Sequence, residues 1–395
     1  FLQDDAIKKV IQAGMSQVNL VAKVTPQAFS SVDFAGKDSS SVFNTAFNVN
    51  ANTTYDYNVA LDKTFLPAGW SAYFTLNSTR YDDSTTISVN SGNVINPVVT
   101  VLNDKNVNQK ASVTITVQNF SVYTQQRVTI PLTVYTYVEN LILNKTTASA
   151  PVYASAIAGA SQTSMDAGID DIKDADTASI SHASVKHIFI HTGEQYRQSN
   201  ILTDNEVDAL IAYLKDSGNV FISGQDIAYA GFDAKAIAPT AKYRSFINSY
   251  LGAYYVNDGD YLDVNLLTNS TDGVYGDKGL PATKMLGAQN VTLPDHLTVS
   301  SLEPNALDVL RYDDKSEPNN VAAVRNHNAS HYWKTVYVAF SFPRIEDNTF
   351  KTDFIKYSIQ WFDGLLLSVK DPKVLAAGIV AYPNPTHGAF VIKTK

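Results

Sequence analysis

A change of rhythm near Glu139 constrains this chain more than any other feature of its sequence. From Val18 to Val138 it runs in short alternating segments such as "SVFNTAFNVN", "YDYNVAL", "WSAYFTL", "ASVTITVQN" and "QRVTIPLTVYTYV". Clusters of Asn, Asp, Gly and Pro part these runs at roughly ten-residue spacing, which is the pattern of a β-sandwich. "VTITV" and "RVTIPLTV" put apolar side chains on every second position, one face inward. After Glu139 the units become "NLILN", the small-residue helix "PVYASAIAGA", "VKHIFIHTG", "LTDNEVDALIAYLKDSG", "NVFISGQD", "TVYVAFSF" and "TDFIKYSIQWFDGLL". Continuous apolar strands alternating with amphipathic helices predict a parallel sheet covered on both faces. The clearest helix starts at Thr203, where Thr203 and Glu206 make a capping box, and stops at Gly218 as its left-handed residue.

A length of 395 residues suits two or three domains, each able to bury a core. The boundaries fall at 1–138, 139–370 and 371–395, with "DDAIKKVIQAG" as a brief lead-in helix. Hydrophobic residues make up 45% and the charged fraction is only 17%, so the chain is globular with an Asn-, Ser- and Thr-rich surface suited to an extracellular setting. A net charge of −8 argues against nucleic-acid binding, which wants a basic stripe. There is no cysteine, which removes disulfides, thiolate zinc sites and a Cys nucleophile. No run of about 18 apolar residues predicts a membrane span. A start at Phe1, without Met or signal peptide, reads as a mature or processed fragment.

Three stretches resemble known families. "TYDYNVALDKTFLPAGWSAYF", with "TTISVN" and "ASVTITVQN", is similar to immunoglobulin-like modules of secreted bacterial proteins, which serve mainly as spacers and adhesive surfaces. In its turn Leu66-Pro67-Ala68-Gly69-Trp70, Trp70 reads either as a core aromatic or as a sugar-stacking platform. "HIFIHTGEQYRQSNILTDNEVDALIAYLKDSGNVFISGQDIA" and "KTVYVAFSFPRIEDNTFKTDFIKYSIQWFDGLL" resemble a class I glutamine amidotransferase-like domain over roughly residues 139 to 367. That resemblance implies a three-layer α/β flavodoxin-like domain with a mostly parallel sheet, following an N-terminal immunoglobulin-like β-sandwich. "AYPNPTHGAFVIKTK" resembles the start of the C-terminal sorting domain of the type IX secretion system of Bacteroidetes, through Tyr382, Pro383, Asn384, Pro385 and Gly388. The resemblance implies passage through that machinery to the cell surface or the medium.

In a doubly wound sheet, ligands sit outside the carboxyl ends of the strands. Those ends offer His191, Thr192, Gly193 and Glu194; Ser223, Gly224, Gln225 and Asp226; and Phe342, Arg344 and Glu346. The amidotransferase nucleophile is a cysteine, absent here, and Ser223 lacks the flanking glycines of a nucleophile elbow because Phe221 stands two before it. The expectation is therefore a pseudo-enzyme with no catalytic residue. His191, Glu194, Ser223, Gln225, Asp226, Arg344 and Glu346 remain as a vestigial or ligand-binding set, open between a degenerate ligand site and a structural one. His182, His187 and His191 suggest a metal, but i,i+4 residues on a strand lie about 13 Å apart at about 3.3 Å per residue. Asp258, Asp260 and Asp263 are calcium-type oxygen ligands without EF-hand spacing, open between a calcium site and a solvated turn. No other cofactor is expected. Ser84 and Thr177 lie in "DST" and "DTA", which resemble Bacteroidetes O-glycosylation sites.

Two functions stay open. One is a non-catalytic secreted or surface protein acting in adhesion or extracellular assembly through protein partners. The other is the C-terminal accessory region of a larger secreted hydrolase, a peptidase.

Overall fold

The computed structural model describes residues 22–37, 39–51, 53–103, 108–119, 127–145, 150–168, 180–194, 201–233, 240–259, 263–276, 278–287, 293–313, 320–365, 379–382 and 391–394. The lead-in helix expected over "DDAIKKVIQAG" falls outside them. Contacts divide the chain into two compact units, Phe1–Glu139 with Ile169–Lys186, and Asn140–Gly168 with His187–Lys395.

Among its described residues the first unit is all β. Its strands are β1 (Ala22–Pro26), β2 (Val32–Ala35), β3 (Ser40–Asn44), β4 (Phe47–Ala51), β5 (Tyr55–Phe65), β6 (Ser71–Leu76), β7 (Thr79–Tyr81), β8 (Ser84–Val89), β9 (Val94–Ile95), β10 (Val98–Leu102), β11 (Gln109–Asn119) and β12 (Arg127–Thr136). They form sheets in the orders β2-β12-β11-β5-β8, β3-β10-β6-β7 and β1-β4-β9. Among the described residues only β2 and β12 pair in parallel there. Alternation decides which side chains go inward: Tyr57, Val59 and Leu61 of β5, Val113, Ile115 and Val117 of β11, and Ala72, Phe74 and Leu76 of β6 share one sandwich-like core. Trp70 belongs to that core and is buried. Its backbone N–H closes the turn onto the Pro67 carbonyl at 3.2 Å, and burial of the ring makes the core reading of this tryptophan the right one.

The second unit is built on an eleven-stranded sheet. The sheet comprises β13 (Val138–Asn144), β14 (Met165–Gly168), β15 (Val185–His191), β16 (Asn219–Ser223), β17 (Ala253–Asp258), β18 (Asp263–Thr268), β19 (Thr283–Leu286), β20 (Asp295–Val299), β21 (Leu307–Tyr312), β22 (Val321–His327) and β23 (Lys334–Val338). The main path runs β14-β13-β15-β16-β23-β22-β21-β18-β19, with β17 on β20 and β20 on β22. Helices α1 (Ala150–Gly159), α2 (Asp204–Lys215), α3 (Tyr229–Phe232), α4 (Ala241–Ser245) and α5 (Asn348–Phe362) accompany it, α4 running on into a π turn at Phe246–Tyr250. Tyr153 and Ile157 of α1 and Phe350, Phe354 and Ile355 of α5 pack with Phe189, Phe221, Val336 and Val338 of the sheet. A separate antiparallel hairpin joins β24 (Ile379–Tyr382) to β25 (Val391–Thr394).

This corrects the expected fold class: residues 139–370 do not form a three-layer α/β flavodoxin-like domain with a mostly parallel sheet. Among the described residues strand accounts for 47% and helix for 19%, so they are mostly β-sheet. Pairs β13–β14, β15–β16 and β16–β23 are parallel. Against these stand antiparallel β17–β20, β18–β19, β18–β21, β20–β22, β21–β22 and β22–β23. A parallel neighbour needs a crossover of about a dozen residues, usually helical. Between Gly252 and His327 the described residues hold no helix, and β17 alternates buried with exposed side chains, as a sheet with one wet face does. The flanking strands suggested a pattern that this middle segment does not follow.

One local detail also changes. The capping box at α2 is present, Thr203 Oγ1 accepting from Glu206 N and Glu206 Oε2 from Thr203 N. The left-handed residue after it is Ser217, with φ 68°, not Gly218. Glycine is needed at 218 for another reason: a Cβ there would stand 2.3 Å from the Tyr213 ring.

Candidate functional site

Parallel pairing of β15, β16 and β23 puts their carboxyl ends at one edge, with His191 opposite Ser223 and Ser223 opposite Val338. The chain then turns sharply. Gly224 sits where a Cβ would be 1.8 Å from Thr192 Oγ1, so only glycine fits. Asp226 follows with a left-handed φ of 63°, which aspartate tolerates.

His191, Glu194 and Arg344 are joined here by Ser341, a residue the sequence reading did not single out. The Gly193 N–H donates to His191 Nδ1 at 3.0 Å. His191 is fully buried, and burial holds its pKa down to about 4 against the opposing charge of Glu194. A neutral imidazole that accepts at Nδ1 carries its hydrogen on Nε2. That hydrogen points to Ser341 Oγ at 3.4 Å. Ser341 in turn donates to Glu194 Oε1 at 2.8 Å. Arg344 closes the chain with two bonds of 2.7 Å, Nε to Oε1 and Nη2 to Oε2. Burial alone would raise the Glu194 carboxyl, but hydrogen bonds from Arg344 and Ser341 outweigh it and hold it below the usual glutamate value.

The hydrogen bonds of this relay run from His191 and Ser341 toward the Glu194 carboxylate. His191 Nε2 cannot take the Ser341 proton because it already holds one. The carboxylate that receives the hydroxyl is a weakened base clamped by a guanidinium.

Ser223 is not part of the relay. Its hydroxyl bonds the Tyr153 phenol and accepts weakly from Phe342 N at 3.4 Å. Burial raises Tyr153 far above the usual phenol value, so it stays a neutral alcohol and no base for serine. Gln225 is buried, and among the described residues neither side-chain amide atom has a hydrogen-bond partner. Glu346 stands apart: it is exposed, and its backbone N–H bonds Lys284 O.

The histidine pair on β15 does not converge, since the His187 ring meets Asp363 at 3.0 Å and Asn219 at 3.3 Å. Of the calcium-type aspartates, Asp260 lies outside the described residues, as does the Asp263 side chain. Asp258 instead meets Asp226 and Asp295, with one carboxylate oxygen from each within 4.8 Å of the others. Asp258 and Asp295 are direct cross-strand partners on β17 and β20. Asp295 escaped the sequence reading; its signal is an acid opening an apolar strand, "DHLTV". Ser84 is exposed on the edge strand β8, while Thr177 lies outside the described residues.

No family model matches the chain, and no curated protein is similar to it in sequence. Among solved structures it has likeness to the N-terminal domain of PorA at 11% identity, over 28% of this chain and 97% of that one, with a TM-score of 0.23. A cytoplasmic protein of Salmonella typhimurium, STM3548, is 12% identical over 63% of this chain and 95% of its own, with a TM-score of 0.37. The CooA pilin subunit of enterotoxigenic Escherichia coli is 9% identical over 29% and 97%, with a TM-score of 0.22. These values assign neither a family nor an activity. No helix among the described residues is long and apolar enough to cross a membrane.

Proposed function

We propose that this chain is a non-catalytic protein of the cell surface or the medium, acting in adhesion or in assembly of an extracellular structure through protein–protein contacts. The observation that carries the reading is the hydrogen-bond polarity at the strand ends. His191 is spent as a donor, Ser341 donates to a clamped carboxylate, and Ser223 is paired to a neutral phenol. Contact surface is available instead: Val42, Phe65 and Leu102 of the first unit are exposed apolar side chains, and β8 is a sheet edge. The sorting-domain resemblance of Tyr382 to Gly388 supports the address. Residues 383–390 lie outside the described residues, so this support comes from sequence alone.

Two experiments test the reading. A serine-reactive fluorophosphonate probe should leave the protein unlabelled; labelling lost in Ser223→Ala or Ser341→Ala would overturn the non-catalytic part. Fractionation and cross-linking of the native organism, with and without a working type IX system, test the rest. The protein should be outside the cell and cross-linked to partners, and a periplasmic monomer in wild-type cells would overturn it.

A further inference from the structure

The geometry points to a binding site for a hard divalent cation, calcium, held by Asp226, Asp258 and Asp295. This stands apart from the surface role proposed above. The site is assembled from the turn after β16, the last residue of β17 and the first of β20.

Three carboxylate oxygens within 4.8 Å of one another can share a single ion. Oxygens bound to calcium at about 2.3–2.6 Å are separated by at most about 4.6–5.2 Å across the metal. The donors are all oxygen, with no imidazole nitrogen and no sulfur in the set, which suits a hard cation rather than zinc or copper.

Asp295 supplies the observation that acidity alone does not. It is fully buried, at 0% exposure. Its Oδ2 takes three donors: Ala228 N at 2.7 Å, Tyr337 Oη at 3.1 Å and Tyr229 N at 3.4 Å. Its Oδ1 takes none. The backbone of the β16 turn thus pins one oxygen and leaves the other as a buried acceptor without a donor, which native proteins rarely tolerate. The same carboxylate faces Asp258 directly across the β17–β20 pair, where two like charges repel. A cation among the three would satisfy the orphan oxygen and cancel the repulsion in one step. The alternative is a proton on Asp295 and no ion.

The test uses the full chain, stripped with EGTA and dialysed. Calorimetric titration with calcium chloride should give one ion per chain. Terbium should show tyrosine-sensitised emission that calcium displaces, because Tyr255 Oη lies 2.9 Å from Asp258 and Tyr337 Oη 3.1 Å from Asp295. Asp258→Asn, at the half-buried position, should weaken binding at least tenfold, and Asp295→Asn should do the same. Circular dichroism on both variants separates lost binding from lost folding, and Asp258→Asn is the variant expected to keep its fold. Absence of calcium binding at millimolar concentration would overturn the site in favour of the protonated aspartate. Binding undiminished in folded Asp258→Asn would overturn it too, because the ion would then lie elsewhere.

Discussion

Acidification offers the sharpest test of the strand-end relay. Burial takes the His191 pKa from 6.5 down to about 4. Between those values the unfolded chain binds a proton that the folded chain refuses, so stability rises with pH through this window. The contribution is complete above about pH 6.5 and is lost as pH falls toward 4. At about 1.36 kcal/mol per pH unit, the gap amounts to about 3 kcal/mol, of which about 2 kcal/mol is already gone at pH 5. Glu194, held below its usual value, acts in the same direction at lower pH. His191→Gln isolates the histidine, because the lost hydrogen bonds cost the same at every pH while the titration disappears. Urea unfolding of wild type and His191→Gln should give stability curves that converge by about 2 kcal/mol between pH 7.5 and pH 5. NMR of the wild-type protein should show the Nε2–H tautomer and no His191 titration above pH 5. Parallel curves, or an Nδ1–H tautomer, would refute the assignment of donors and with it the case against a serine nucleophile.

Three further outcomes follow from the packing. Gly224→Ala should destabilise by about 1–3 kcal/mol in urea unfolding, because its Cβ meets Thr192 Oγ1 at 1.8 Å. Gly168→Ala, with nothing within 4 Å of the new Cβ, is the control and should stay within about 0.5 kcal/mol. Thr203→Ala removes the cap of α2 and should cost about 1 kcal/mol in thermal unfolding, with Thr203→Ser near wild type. Arg325→Met should cost about 3–5 kcal/mol, since it strands Asp272, its partner in an ion pair where both side chains are at most 5% exposed.

What the sequence disclosed was local. The capping box of Thr203 and Glu206 sits within one turn of chain, and the Trp70 turn closes over four residues, so both were legible from neighbours alone. The strands at Val185–His191 and Asn219–Ser223 were legible because each is a run of apolar residues bounded by turn signals. Sheet direction was not legible in the same way. It depends on which strand lies beside which, and the segment from Gly252 to His327 folds as short strands whose pairings shift register, as at Asp308 and Leu310 against β22. Such irregular ladders carry weak periodicity, so extending the parallel pattern across them failed.

The site divides along the same line. Asp258 drew attention through its spacing to Asp260 and Asp263, an argument from adjacency, whereas its partner Asp295 reaches it only through the β17–β20 register. Ser341 entered the relay because β23 ends beside β16, one strand away from β15, and no spacing in "AFSFPRIED" announces that. The decisive fact about His191 is finer still: one backbone N–H, that of Gly193, fixes which ring nitrogen carries the proton. A strand, a tight turn and a histidine at its edge can therefore look like a catalytic edge in sequence and be wired as a donor chain in the fold. What separates the two is the direction of a hydrogen bond, set by a glycine two residues on, and composition cannot encode it.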